Sequence, residues 1–82
     1  MMASRNIAWE IRLKKERIRR LLSFIAAERR HYYEGCPRLL LYGFIKKEGL
    51  STAWLHTTLA ELQRQQKIYE PLKGHYDVLV PV

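Results

Sequence analysis

The sequence predicts a mainly α-helical fold that ends in a small β-hairpin. Apolar residues recur at helical spacing over three segments, and the spacing changes from 3.6 to 2 after Lys67. The chain has 82 residues, of which 48% are hydrophobic, and this is the size of one small domain. We therefore expect a single domain over 7–82, preceded by a flexible segment over 1–6.

The first helix is predicted over about 7–30. Asn6 is a suitable N-cap, and the apolar residues that follow at helical spacing are Ile7, Ile11, Ile18, Leu21, Leu22 and Ile25. At ~1.5 Å per residue this helix would be ~36 Å long, which exceeds the width of so small a core. Its C-terminal half is expected to pack on the domain, and its N-terminal half to project from it.

Two further helices are predicted after a short extended stretch over 31–35. Pro37 is suited to the first position of a helix, and Gly49 to a left-handed C-terminal cap. Ser51 is then the N-cap of a third helix that ends near Gln66. The predicted inner faces consist of Leu40, Leu41, Phe44 and Ile45 in one helix, and Leu55, Leu59 and Leu62 in the other. Two helices joined by so tight a turn form a helix-turn-helix.

The C-terminal hairpin is predicted from two alternating segments, 68–72 and 75–80, on either side of Lys73 and Gly74. Pro71 restricts its strand to the edge of a sheet, and Tyr76 and Val78 are predicted to point inward. A helix-turn-helix followed by such a ribbon is a winged helix. The expected fold is therefore three helices plus a two-stranded wing, with a long first helix.

The net charge of +7 is concentrated in the first half of the chain. Residues 1–41 contain ten basic and four acidic residues, whereas 42–82 contain five and four. In the segment 12–20, one acidic residue, Glu16, accompanies six basic ones: Arg12, Lys14, Lys15, Arg17, Arg19 and Arg20. Such a cluster is typical of a surface that binds a polyanion, and the alternative is a solvated helix face.

From Leu50 onward, a leucine-rich helix leads into an Ile-Tyr-Glu-Pro strand, a glycine turn and an aromatic return strand, with Leu59, Leu62, Ile68, Tyr69, Glu70, Pro71, Gly74 and Tyr76 at these positions. This segment resembles the C-terminal winged-helix domain of archaeal minichromosome maintenance helicases, and with the preceding helices the resemblance covers about 17–80. It implies a role in DNA replication. Helicase activity is not implied, because the chain has no Gly-x-x-x-x-Gly-Lys phosphate loop. Either an excised accessory domain or a stand-alone small protein of an archaeal virus or plasmid fits this resemblance.

In a helix-turn-helix, the second helix enters the major groove of DNA. The outward arc of the predicted third helix contains a single fixed cation, Arg64, beside Glu61, and this favours phosphate contacts over base readout. We expect duplex DNA to bind through the cluster over 12–20 together with Thr52, His56, Thr57, Arg64 and Lys73. The expected setting is DNA replication or transcription regulation.

Two other uses of the same surfaces stay open. Ile7, Ile11 and Ile18, with Lys14 between them, follow the spacing of a coiled-coil seam, which predicts a homodimer through the first helix. The alternative function is a protein-interaction module that docks on a larger replication or transcription protein through the third helix and Trp54.

Catalytic, metal-dependent and membrane functions are not expected. The three histidines are distant in sequence, and Cys36 has no second cysteine, so we expect no metal or cofactor site. The longest apolar run, 39–45, is far below the ~20 residues of a membrane span, and no signal-peptide core is present. We expect a non-enzymatic cytoplasmic protein associated with the nucleoid.

Overall fold

The chain folds into three helices and a small antiparallel sheet, in the order α1 (Met2–Glu28), β1 (Cys36–Pro37), α2 (Arg38–Glu48), α3 (Thr52–Arg64), β2 (Ile68–Leu72) and β3 (His75–Val78). The computed structural model describes residues 2–79, with side chains from residue 9 onward. The strand order is β1-β3-β2. The mainly helical fold with a long first helix is confirmed, whereas the sheet has three strands instead of the two predicted.

The long helix α1 begins at Met2, earlier than the predicted residue 7, and ends at Glu28. In its C-terminal half, Leu21 and Ile25 are buried, and the Phe24 ring lies 5.0 Å from the ring of Phe44 in α2. The N-terminal half extends beyond the core, since the molecule measures 48 Å along one axis and 24 and 19 Å along the others. The flexibility predicted for 1–6 is a separate property and stays a prediction.

The core is one cluster to which all six elements contribute: Leu21, Ile25, Cys36, Leu41, Ile45, Leu55, Leu59, Leu62, Ile68, Tyr76 and Val78. The inner face predicted for α3 is therefore confirmed in full. In α2, Leu41 and Ile45 are buried, while Leu40 and Phe44 lie at the margin of the cluster. Trp54 also packs at this margin.

The turn between α2 and α3 is short and is held by several hydrogen bonds. Gly49 adopts a left-handed φ of 71°, and the Leu50 N–H donates to the Ile45 carbonyl at 2.8 Å. The Ser51 hydroxyl then accepts a hydrogen bond from the Trp54 N–H at 3.0 Å, which is the predicted N-cap. These bonds fix the direction in which α3 leaves α2. The helix ends at Arg64, two residues before the predicted end.

The stretch between α1 and α2 differs most from the prediction. Residues 31–34 form turns, and the extended residues are Cys36 and Pro37. Pro37 has a ψ of 143° and precedes α2 instead of opening it. Because β1 pairs with β3, the latter becomes the central strand and β2, with Pro71, lies at an edge as predicted. The predicted end of the last strand, residue 80, lies outside the described residues.

Candidate nucleic-acid interface

The exposed face of α3 is positioned by its buried face. Leu55, Thr58, Leu59 and Leu62 are buried on one side of the helix, so the opposite side faces solvent with His56, Thr57, Ala60 and Arg64. Two hollows border this exposed face, and Ala60 lines both of them. The face is thus a ridge between two recesses.

The first hollow, the α1/α3 groove, has a volume of about 650 Å³. Lys14 and Ile18 of α1 line one wall of it, and Thr57 and Arg64 of α3 line the other, with Lys67 also at its edge. Lys14 therefore shares one groove with two cations from a distant part of the chain. This juxtaposition brings one residue of the predicted cluster over 12–20 beside the predicted third-helix residues.

Glu61 is the acidic residue of the α1/α3 groove, and it holds Arg64 in place. The Arg64 Nε donates to Glu61 Oε2 at 2.9 Å, Nη2 donates to Oε1, and the side-chain amide of Gln65 donates to Oε1 at 2.9 Å. These hydrogen bonds, together with the charges of Arg64 and Lys14, lower the pKa of Glu61 to about 2. The charge of Arg64 is therefore balanced within α3.

Two of the predicted α1 cations are balanced in the same way. Arg19 donates to Glu16 at 2.6 Å, and Arg20 donates to Glu48 of α2 at 3.0 Å. Within residues 9–79, in contrast, no carboxylate oxygen lies within 4.0 Å of the remaining four, Arg12, Lys14, Lys15 and Arg17. Among the described side chains of α1, those four are the cations without an ion pair.

The α1 cations do not form one face. At 100° per residue, Arg12, Lys15 and Arg19 fall within one arc of the helix, whereas Lys14 is displaced from them by roughly 100–160°. Lys14 is the cation that reaches α3, and Arg17 is half-buried. The cluster therefore surrounds the helix, and only part of it shares a side with Arg64.

The second hollow, the Arg38 hollow, lies between the start of α2, α3 and β3, with a volume of about 270 Å³. Arg38 Nη2 donates to the Tyr76 hydroxyl at 2.9 Å, and its guanidinium carbon lies 5.8 Å from the centre of the Tyr76 ring. The hydrogen bond to Tyr76 raises the pKa of Arg38. His56 and Gln63 of α3 complete the polar wall. Arg38 is not among the residues predicted from the sequence, since nothing in the local pattern indicates its contact with a residue 38 positions away.

Two predicted residues lie at the ends of this surface. Thr52 is exposed at the first position of α3, and Lys73 is exposed in the turn between β2 and β3. Gly74 holds this turn with a φ of 83°, its N–H donates to Glu70 Oε2 at 2.6 Å, and its carbonyl accepts from the Arg38 N–H at 2.8 Å. The tip of the hairpin is therefore fixed to the start of α2. Lys73 lines neither of the two hollows beside α3.

The predicted dimer residues have different surroundings. The side chain of Ile7 lies outside the described residues. Ile11 is 50% exposed, and Ile18 packs against the margin of the core while it lines the α1/α3 groove. Ile11, with the neighbouring exposed Trp9, thus leaves apolar surface on the projecting half of α1.

His31 and His75, distant in sequence, line a small hollow of about 230 Å³ near Glu34. Among the described side chains, no group of three or more His, Cys, Asp or Glu residues is arranged to hold a metal ion. Between residues 2 and 79, no helix combines the length and the apolar character that crossing a membrane requires.

None of the protein-family models matches the chain, and no curated protein or solved structure shows significant similarity to it. The resemblance to the winged helix of minichromosome maintenance helicases therefore stays a prediction. The features that bear on function are the two hollows beside α3 and the charges around them.

Proposed function

We propose that the chain is a winged helix-turn-helix domain that binds duplex DNA without catalysis, mainly through phosphate contacts. In this assignment α2 and α3 form the helix-turn-helix, the β2–β3 hairpin is the wing, and β1 adds a short third strand beside it. The observation that carries the proposal is the α1/α3 groove, where Lys14, Arg64 and Lys67 lie beside the exposed face of α3.

Charge placement supports phosphate contacts over base readout. The exposed face of α3 contains no Asn or Lys, its one arginine is bound to Glu61, and the glutamine beside it, Gln63, is half-buried. Direct readout depends on Arg, Lys, Asn or Gln side chains that are free to reach base edges. Four cations without an ion pair among residues 9–79, Arg12, Lys14, Lys15 and Arg17, lie instead on α1, and such cations attract a polyanion without reference to its sequence.

The proposal places the protein with DNA in the nucleoid, and the resemblance adds replication or transcription regulation as its setting. A second candidate is the interaction module, in which α3 docks on a replication or transcription protein. The balanced charge of Arg64 and Glu61 favours this second candidate, because a nearly neutral face suits a protein partner.

Fluorescence anisotropy of a labelled duplex over a salt series tests the proposal. The informative variant replaces Lys14, Arg64 and Lys67 by Gln, since these three exposed cations line the α1/α3 groove. The slope of log affinity against log salt is expected to become shallower by about 2.7, because each phosphate contact contributes about 0.9.

The matched control replaces Arg30, Lys46 and Lys47 by Gln, which removes the same charge from exposed positions elsewhere. Its slope is expected to change by less than about 1. Equal slopes for both triple variants would contradict the proposed surface. If the wild-type chain does not bind duplex at low salt, the interaction module becomes the better assignment.

A further inference from the structure

We infer that the Arg38 hollow, between α2, α3 and β3, is a binding site for one phosphate group. The inference rests on the proposed function only for the source of that phosphate, a phosphodiester of the DNA backbone. The site itself rests on the side chains that surround the hollow.

The hollow is rich in hydrogen-bond donors. Arg38 has five N–H donors, of which one bonds to the Tyr76 hydroxyl. Because that hydroxyl oxygen accepts from Arg38, its own proton remains available to a ligand. Gln63 adds an amide group, and no carboxylate lines the hollow within the described part of the chain. Donors that greatly outnumber acceptors select an acceptor-rich anion.

The guanidinium is held in place before any ligand arrives. Its hydrogen bond to Tyr76 and its position 5.8 Å from the ring centre fix the orientation of the planar group. Its Nε is buried and has no hydrogen-bond partner among the described residues. The outer nitrogens are therefore the atoms that a ligand contacts, in the fork geometry that suits phosphate oxygens.

His56 completes the site from α3. Its Nε2 lies 3.3 Å from the Tyr42 hydroxyl, and the two rings meet edge to face at 6.1 Å. When Tyr42 donates to Nε2, the proton of the neutral ring is on Nδ1, which then acts as a further donor. The Tyr42 contact fixes the orientation of the ring beside the hollow.

Position favours a phosphate of the DNA backbone as the occupant. The hollow, with a volume of about 270 Å³, is open to solvent and has room for a tetrahedral anion. The hollow also lies between the exposed face of α3 and the strand that follows the wing turn. A duplex whose groove receives α3 would bring its backbone to this position.

Nuclear magnetic resonance of the full chain tests the site directly. Titration with inorganic phosphate is expected to shift the Arg38 Nε–H and Gln63 side-chain signals in a saturable way, and acetate at equal ionic strength is expected to leave them unchanged. Arg38→Gln should abolish the phosphate response, and Tyr76→Phe, which keeps the packing of the ring, should weaken it. An equal acetate response, or shifts that persist in Arg38→Gln, would overturn the inference.

Duplex binding identifies the source of the phosphate. Arg38→Gln is expected to lower the affinity for the duplex about tenfold and to make the slope of log affinity against log salt shallower by about 0.9. Lys47→Gln, with the same loss of charge, should have a smaller effect on both. Circular dichroism establishes that each variant is folded, and Gln63→Ala replaces Arg38→Gln if the latter unfolds. Phosphate binding without duplex binding would overturn the proposed function and identify free phosphate as the ligand. If Arg38→Gln and Lys47→Gln lower the affinity for the duplex equally, the phosphate site is overturned and the proposed function is not.

Discussion

Arg29, just beyond the end of α1, donates to the Asp77 carboxylate of β3 from Nε at 3.0 Å and from Nη2 at 2.8 Å. Nη2 also donates to the Val78 carbonyl at 3.0 Å, and the Val78 N–H donates to Asp77 Oδ1 at 2.7 Å. Asp77 is only 9% exposed, so these partners supply hydrogen bonds to a carboxylate that has little contact with water. The pair connects the end of the long helix to the central strand.

Removing either partner is expected to lower the melting temperature. Arg29→Gln leaves a buried carboxylate without its counter-charge. Asp77→Asn weakens three charge-assisted hydrogen bonds, so we expect its melting temperature to fall by roughly 5–10 °C. Thermal circular dichroism measures the melting temperature of both variants. Arg30→Gln removes the same charge from the next, exposed residue and should leave the melting temperature unchanged; a similar loss in that control would contradict the role given to Arg29.

Gly35 and Gly43 are expected to respond to alanine in opposite directions. Gly35 has a φ of 103°, and a Cβ there would lie 3.1 Å from both Pro71 Cγ and the Tyr76 carbonyl oxygen. We expect Gly35→Ala to cost about 1–3 kcal/mol of unfolding free energy. Gly43 lies within α2, where a Cβ meets nothing within 4 Å, so Gly43→Ala should stabilise by about 0.5–1 kcal/mol. Urea unfolding measures both. An unchanged stability in Gly35→Ala would contradict the close approach there, and a loss of stability in Gly43→Ala would contradict the open position within α2.

The Cys36 thiol is expected to be unreactive in the folded protein. Burial, with a smaller contribution from the charge of Glu28, raises its pKa to about 12 from an ordinary value of 9.0. The thiolate is the reactive form, so at pH 8 the folded chain should react with iodoacetamide about a thousandfold more slowly than the urea-unfolded chain. Equal rates would contradict the buried position.

The same pKa predicts a loss of stability at alkaline pH. Because the folded state holds its proton more tightly, the contribution of Cys36 is fully present below pH 9.0 and is lost as the pH rises from there towards about 12. Urea midpoints at pH 8 and 10.5 measure this loss. Cys36→Ala is the control for the other groups that titrate in this range. Between pH 8 and pH 10.5, this variant should lose less stability than the wild-type chain.

Self-association through the projecting half of α1 is expected to increase with salt. Ile11 is 50% exposed, and two copies would bring the uncompensated cations of both helices together. Light scattering should therefore show a mass closer to the dimer at 0.5 M salt than at 0.05 M, and Ile11→Asp should remove the change. Leu39→Asp, at an exposed apolar residue of α2, is the control. A monomer at every salt concentration contradicts the predicted dimer.

The sequence predicts the elements with strong periodicity and misses those that exist through distant pairing. The leucines of α3, the Ser51 cap and the inward Tyr76 and Val78 follow from local spacing, and the structure confirms them. β1 has two residues, too few for any period, and it forms only because Cys36 pairs with Tyr76.

The candidate site is predictable to a smaller extent for the same reason. Exposed cations can be identified from composition, but their compensation depends on which carboxylate the fold brings near, as Glu48 does for Arg20. Arg38 has no neighbouring basic residue, and its importance comes entirely from Tyr76. Local charge density therefore indicated the α1 cluster and could not indicate the Arg38 hollow.

The hydrogen bond from the Arg38 N–H to the Gly74 carbonyl has a mechanical consequence. Connecting segments at a protein surface are in general more mobile than the elements that they join, and this hydrogen bond restrains the tip of the hairpin. Here the tip, the start of α2 and the turn into α3 are parts of one continuous framework. The distances between these three parts are therefore the same before and after a partner binds. Association then requires little ordering of the backbone, and the association rate depends chiefly on long-range charge attraction.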